Sequence, residues 1–201
     1  MIKNIVFDIG AVLIAFDWDA YMEKLFADAV TRRHVTDAMW HNPDWNALDR
    51  GAVPLEDAIA QFVENDPEYE AEIRLAMKRL GEAPEKQPYA IPWIHELKAA
   101  GYRVFYLSNY FEYLMREAPQ VLDFIPYTDG GIFSCHEKIT KPEPELYRRL
   151  FERYDLKAEE SIFIDDSPRN TEAAEALGMK SFRFTDYAET YPAVMRYLQE
   201  Y

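Results

Sequence analysis

Cysteine is nearly missing from this chain: Cys135 stands alone among 201 residues. A lone thiol excludes an internal disulfide and points to a reducing compartment. Positive charge is also short. Lysine and arginine number 22 against 36 aspartates and glutamates, a formal net charge of −14. So acidic a surface repels nucleic-acid backbones and anionic membranes, and neither is an expected partner. It repels phosphate esters as well, so any phosphate site needs local cations. No run of about 18 apolar residues occurs, the length that a membrane-spanning helix requires. Met1-Ile2-Lys3-Asn4 lacks the charge and apolar pattern of a secretory signal. A cytoplasmic protein is the expectation. Internal repeats and low-complexity segments are absent from the sequence. His34, His95 and His136 lack metal-ligand spacing and are expected at the surface or satisfied in the core.

What is present suits a globular chain, with 49% hydrophobic and 29% charged residues. Its length allows one sizeable domain, or one domain with a smaller insert. Residues 2–8 form a short apolar run rich in β-branched and aromatic residues, the pattern of a buried strand. Residues 10–16 are too apolar for an ordinary loop and too short for a helix, which suggests a tight turn or flap. From Asp17 to about Lys86 the pattern is purely helical. Asp17 can cap a helix with Trp18, Tyr21, Met22 and Leu25 on its apolar face. A second helix is expected over about 30–40, and 41–45 is a break. Gly51 can stop a short turn. Pro54 opens a helix carrying Ala58, Ile59 and Phe62, and another carries Ile73, Met77 and Leu80 before Gly81.

Beyond residue 87 the pattern becomes strand–helix alternation. Strands are expected over 102–108, 132–135, 161–165 and 180–184, with helices between them. Repeated βα units imply an α/β fold: a mostly parallel, Rossmann-like sheet with helices on both faces. The helical block then reads as an insertion placed after the first strand. The expected division is a core of 1–16 and 87–201 and a small helical cap domain of 17–86.

Four polar spots lie at the ends of these strands or at a helix start. Asp8 follows Ile5-Val6-Phe7, and Ser108-Asn109 follows Val104 to Leu107. Lys141-Pro142 precedes a helix, and Asp165-Asp166 follows Ser161 to Ile164. Ligands of open parallel sheets sit at the carboxyl ends of the strands. One rim would therefore gather a carboxylate nucleophile, a hydroxyl, an ammonium and a pair of acids. Adjacent acids repel unless a cation compensates. That points to Mg²⁺ and phosphoryl chemistry.

The order Asp, Ser, Lys, Asp-Asp resembles the haloacid dehalogenase (HAD) superfamily over essentially the whole chain. Phe7 to Leu13, Leu107-Ser108-Asn109, Lys141-Pro142-Glu143-Pro144 and Phe163 to Ser167 with Asn170 resemble its four motifs. The Asp-x-Gly-x-Val-Leu form, the paired acid and Asp49-Arg50-Gly51 are similar to one group of subfamily IA. That group includes phosphatases of α-D-glucose 1-phosphate. The resemblance implies that Asp8 attacks phosphorus and becomes an aspartyl phosphate. It implies Mg²⁺ held by Asp8, the Gly10 carbonyl and Asp166, with Asp165 direct or through water. Ser108 and the Asn109 N–H would hold the phosphate, Lys141 would neutralise it, and Asn170 would tie down the acid pair. The substrate would be a small phosphorylated metabolite, in this group a sugar phosphate.

One departure stands out. Most phosphatases of the superfamily carry an acid–base Asp two residues after the nucleophile, where this chain has Gly10. Such help is typically worth about 10²–10⁴-fold, so a substitute is expected, and Asp17 or Asp19 is placed to reach in, Asp17 first. Trp45, His41, Asp49 and Arg50 lie in the break of the helical block and are candidates for touching substrate. Alternatives are a 2-haloacid dehalogenase, which needs no metal and whose members lack the acid pair, and a non-catalytic regulator keeping the fold. Gly10 disfavours a phosphosugar mutase. A two-component receiver domain places its acids after the first strand and has no cap. Nothing in the sequence fixes an oligomeric state.

Overall fold

Three apolar runs, each ending in a polar residue, lie side by side at the centre of the molecule. In the computed structural model, which describes residues 1–200, β1 (Asn4–Phe7), β4 (Arg103–Ser108) and β6 (Ser161–Asp165) are neighbouring parallel strands. With β5 (Gly130–Phe133) and β7 (Lys180–Arg183) they form one sheet in the order β5-β4-β1-β6-β7, every pairing parallel. Alternation along the strands supplies both faces. Ile5, Phe7, Val104, Ile162 and Ile164 enter one buried cluster; Val6, Phe105, Leu107 and Phe163 enter another. Central strands buried on both sides must be apolar throughout, which is why these runs are so plain in sequence.

The first face is covered by α6 (Ala90–Ala99) and α11 (Tyr187–Glu200), through Trp93, Leu97, Val194 and Leu198. The second is covered by α9 (Pro144–Tyr154) and α10 (Pro168–Ala176), through Leu146, Tyr147, Leu150 and Ala174. This is the α/β class expected from strand–helix alternation. The strand order reverses at β1, the point where such sheets open a crevice at their carboxyl ends.

Between β1 and α6 the chain leaves the sheet. It forms β2 (Ile14–Phe16), five helices and then β3 (Pro84–Lys86). The helices are α1 (Trp18–Leu25), α2 (Ala29–Ala38), α3 (Asp44–Asp49), α4 (Leu55–Asn65) and α5 (Glu70–Lys78). β2 and β3 pair antiparallel as a two-stranded ribbon at the root of the insertion. This corrects two expectations. Residues 10–16 are not simply a flap: after a turn at Ala11–Leu13 they become a strand. The block up to Lys86 is not purely helical either, because Pro84-Glu85-Lys86 pairs with that strand. Three residues opening on proline carry no periodic signal, and proline is tolerated at the first position of a strand.

Smaller differences concern ends. Of the helices expected between the strands, the one after β4 is short: α7 (Glu112–Glu117), followed by a 3₁₀ turn at Pro119–Leu122. The expected strand 132–135 begins earlier, at Gly130, and a one-turn helix, α8 (Ser134–Glu137), replaces its end.

Candidate active site

Asp8 leaves β1 at the centre of the sheet and is buried. Its Oδ1 accepts from the Ile9 N–H at 2.7 Å and lies 2.7 Å from Lys141 Nζ. The ammonium also meets Asp165 Oδ2 at 2.6 Å, so one lysine bridges two carboxylates from neighbouring strand ends. Asn109 places it: its Oδ1 accepts from the Lys141 N–H at 2.7 Å and its Nδ2 donates to the Lys141 carbonyl at 3.1 Å. Asp165 has no free oxygen. Oδ1 accepts from the Ser167 N–H (2.8 Å) and Asn170 Nδ2 (3.0 Å), and Oδ2 accepts from Lys141 and Asn170 (3.1 Å).

Two oxygen sets accept no hydrogen bond from another residue among the described ones: Asp8 Oδ2, and the Asp166 carboxylate, which meets only its own backbone N–H. One ligand oxygen each from Asp8, Asp165 and Asp166 fits within 4.8 Å. All are hard oxygen donors, the kind that Mg²⁺ takes. Burial pushes the Asp8 carboxyl up to about 7; Lys141 opposes this, and Asp165 and Asp166 add to it. Burial disfavours the Lys141 ammonium, yet Asp165 and Asp8 outweigh that and raise its pKa. Burial and Asp165 raise Asp166. A cluster with more carboxyls than cations is what a divalent ion relieves, and the residues present fit one.

Above this floor lies a cavity of about 220 Å³, lined by Asp8, Gly10, Ser108, Asn109 and Asp166 below and by aromatic side chains above. Ser108 is buried, and its hydroxyl has only a 3.5 Å contact with the Asn109 carbonyl, so it is available to a ligand. Tyr89 steadies the loop after Asp8 by donating to the Val12 carbonyl at 2.8 Å.

The description haloacid dehalogenase-like hydrolase matches residues 2–178. The chain belongs to this family. A sesquiterpene phosphatase, astK, of Aspergillus oryzae is 26% identical over 193 residues, covering 94% of this chain and 92% of that protein. A D-ribitol-5-phosphate phosphatase of Bacteroides thetaiotaomicron is 26% identical over 193 residues, 91% and 92% of the two chains. Among solved structures, a HAD family enzyme of Bacteroides thetaiotaomicron in complex with magnesium and inorganic phosphate superposes with a TM-score of 0.70. It is 19% identical and matches 94% of this chain and 98% of that one.

Within this HAD fold, the other residues singled out in the sequence separate clearly. Asp17 does not reach the cavity. It is exposed, and its Oδ1 accepts from the Ala20 N–H at 2.9 Å as the N-cap of α1. Asp19 is also exposed and lines a different groove beside Arg33 and Asp37. Arg50 lines a polar groove next to the site rather than the cavity over Asp8. Its guanidinium is spent on Glu143, at 2.5 and 3.3 Å, and on Thr140 Oγ1 at 3.2 Å. His41 lies in that groove, paired with Asp37. Trp45 is both core and wall: it is 7% exposed, packs edge-on against Trp18, Trp40 and Phe111, and lines the cavity.

Asp49 is the carboxyl that does face Asp8 across the cavity. Burial and the Asp8 charge push it up to about 7, with Lys141 opposing. Its position comes from the core. Ser134 Oγ donates to the Asp49 carbonyl at 2.6 Å, Lys138 Nζ donates to the Gly51 carbonyl at 2.6 Å, and Arg50 grips Glu143. Gly51 turns at φ +62 with Lys138 Nζ and the Cys135 carbonyl inside 3.0 Å of any added Cβ. The sequence marked Asp49 as a substrate contact; nothing local marked it as an acid that lines the cavity with the nucleophile and feels its charge.

Proposed function

We propose that this chain is a Mg²⁺-dependent phosphatase of small phosphomonoesters that works through an aspartyl phosphate on Asp8. The observation that carries this reading is the junction of Asp8, Lys141, Asp165 and Asp166. It holds a nucleophile beside one lysine, with two oxygen sets left over for a cation. Asp8 Oδ2 and Asp166 would hold the ion with the Gly10 carbonyl, and Asp165 would orient Lys141 and the loop. The bound ion would supply positive charge that lets an anionic carboxylate approach an anionic ester.

The chain's own groups then act in order. Asp8, through the carboxylate oxygen that does not hold the ion, forms a bond to phosphorus while the ester P–O bond breaks. Lys141 and the Ser108 hydroxyl bind the phosphoryl oxygens as charge shifts among them. Protonated Asp49 gives its proton to the leaving alcohol oxygen. As a carboxylate it then takes a proton from water, whose oxygen attacks the phosphorus and frees Asp8 and inorganic phosphate. In this reading Asp49, not Asp17, replaces the acid that Gly10 lacks, and a pKa near neutrality suits both half-reactions. Residues 17–86 act as a cap over a core of 1–16 and 87–201, closing the cavity to water.

The motif pattern resembles that of subfamily IA and the glucose 1-phosphate phosphatase group, a resemblance that favours a sugar phosphate. The two relatives named above act, by their names, on a terpene ester and on a polyol ester. At equal identity they do not choose the alcohol. The test is a phosphomonoester panel with and without Mg²⁺, run beside Asp8→Asn. Phosphate release that disappears with EDTA and in Asp8→Asn is expected. Turnover that survives Asp8→Asn, or halide release from 2-haloacids without metal, would sink the reading.

A further inference from the structure

The phosphoryl end of the site leaves open which alcohol the ester carries. Resting on the phosphatase reading, we infer that this alcohol is apolar: the preferred substrate is the monophosphate of an aromatic or branched hydrocarbon alcohol, not of a sugar.

The cavity's walls carry the inference. Above the floor they are Ile14, Phe16, Trp40, Trp45, Phe111 and Leu114. They converge from separate elements: β2, the turn after α2, α3, and α7 with the residue before it. The aromatic rings form a layered block. Trp40 stacks between Phe16 and Trp18, with ring centres 5.4 and 5.3 Å apart, and Trp45 stands edge-on to Trp40 at 5.1 Å. Trp18 anchors the block by donating from Nε1 to Thr36 Oγ1 at 2.9 Å. Trp40 keeps 38% of its surface exposed, one of few large hydrophobics to do so. An apolar surface held open beside a polar floor marks a binding site for an apolar group.

Polar partners for a sugar are scarce there. Both polar atoms of the Asn109 amide are taken by Lys141. Asp8, Ser108 and Asp166 face the phosphoryl end. Two lining side chains are left for a hydroxyl: Asp49, which is needed at the ester oxygen, and Tyr110, whose buried hydroxyl has no partner among the described residues. A sugar can stack one face on an indole, but each enclosed hydroxyl left without a partner weakens binding. A hydrocarbon gains with every part of its surface that it buries. Size agrees: a dry apolar cavity of about 150 Å³ encloses benzene, and this one measures about 220 Å³. A ring or short branched chain fits above the phosphoryl group.

The test uses the full chain with Mg²⁺ and esters of primary alcohols, so that leaving groups are comparable. Benzyl phosphate and isopentenyl monophosphate are set against glucose 6-phosphate and ribitol 5-phosphate. Both apolar esters should exceed both polar ones at least about tenfold in kcat/KM, and their mutual ratio tells an aromatic from an aliphatic substrate. Trp40→Ser should cut kcat/KM for the apolar esters about tenfold and for the polar ones less. Binding is read separately. Benzylphosphonate, whose P–C bond does not hydrolyse, should saturably change tryptophan fluorescence, with glucose 6-phosphate competing only weakly. Polar esters equal to or better than apolar ones, or a Trp40→Ser loss equal for both classes, would overturn the inference while leaving a phosphatase. Absence of turnover on every ester would sink the phosphatase reading instead, and the benzylphosphonate titration would then decide the cavity's preference alone.

Discussion

Position 10 and Asp49 bear on each other directly. A Cβ built at Gly10 meets nothing within 4 Å, so an acid side chain has room two residues after the nucleophile. The chain does without one there and brings Asp49 over Asp8 instead. Asp49→Asn should lower kcat by about 10²–10⁴-fold for esters of poor leaving groups and far less for aryl phosphates, whose oxygen leaves unaided. Adding Gly10→Asp to that variant should restore part of the loss. Steady-state kinetics on an alkyl and an aryl ester checks both, and equal losses on the two would exclude proton donation by Asp49. Asp8, Ser108, Lys141 and the acid pair were legible in the sequence because each sits at a strand end or a helix start, where local pattern and position coincide. The place of Asp49 in the cavity was not legible in the same way. Its place over Asp8 depends on Ser134, Lys138 and Glu143, contacts distant in sequence that leave no local trace.

At the level of elements, the turn after α3 is where the helical insertion meets the core. Gly51 holds a left-handed φ of +62 against two core atoms, whereas Gly101, at φ +94, has nothing near its missing Cβ. Alanine at Gly101 should cost only the left-handed penalty, about 1–2 kcal/mol. Gly51→Ala should cost more, since Lys138 or the Cys135 carbonyl must also move. It should reduce kcat too, because Asp49 moves with the turn. Urea denaturation and turnover of the pair check this; equal stability losses with unchanged kcat would show that the turn does not position Asp49. The strands of the sheet were readable for the reason that makes them stable, continuous apolar burial. The ribbon of β2 and β3 was not, because three-residue strands lean on each other rather than on their own pattern. Its pairing, Ile14 to Lys86 and Phe16 to Pro84, joins residues far apart in sequence and leaves no local trace in either segment.

For the molecule as a whole, the site is a reservoir of repulsion set in an acidic protein of net charge −14. Asp8 and Asp49 both rise to about 7 in the folded state, above the ordinary carboxyl value of 3.8. The metal-free folded protein therefore keeps protons that the unfolded chain has released. The stability these groups contribute is complete below about pH 4 and is lost as pH rises through about 7. Mg²⁺ acts in the opposite sense, since it binds the ionised carboxylates and must displace protons to do so. The rise in Tm on adding saturating Mg²⁺ should therefore be larger at pH 8 than at pH 6. Asp8→Asn removes one titrating carboxyl and a metal oxygen. It should raise the metal-free Tm at pH 8 and shrink the Mg²⁺ increment there. Thermal unfolding of both proteins at the two pH values, with EDTA or Mg²⁺, measures all four differences. A Mg²⁺ increment independent of pH, or undiminished in Asp8→Asn, would place the ion away from this carboxylate cluster and remove the electrostatic basis of the site.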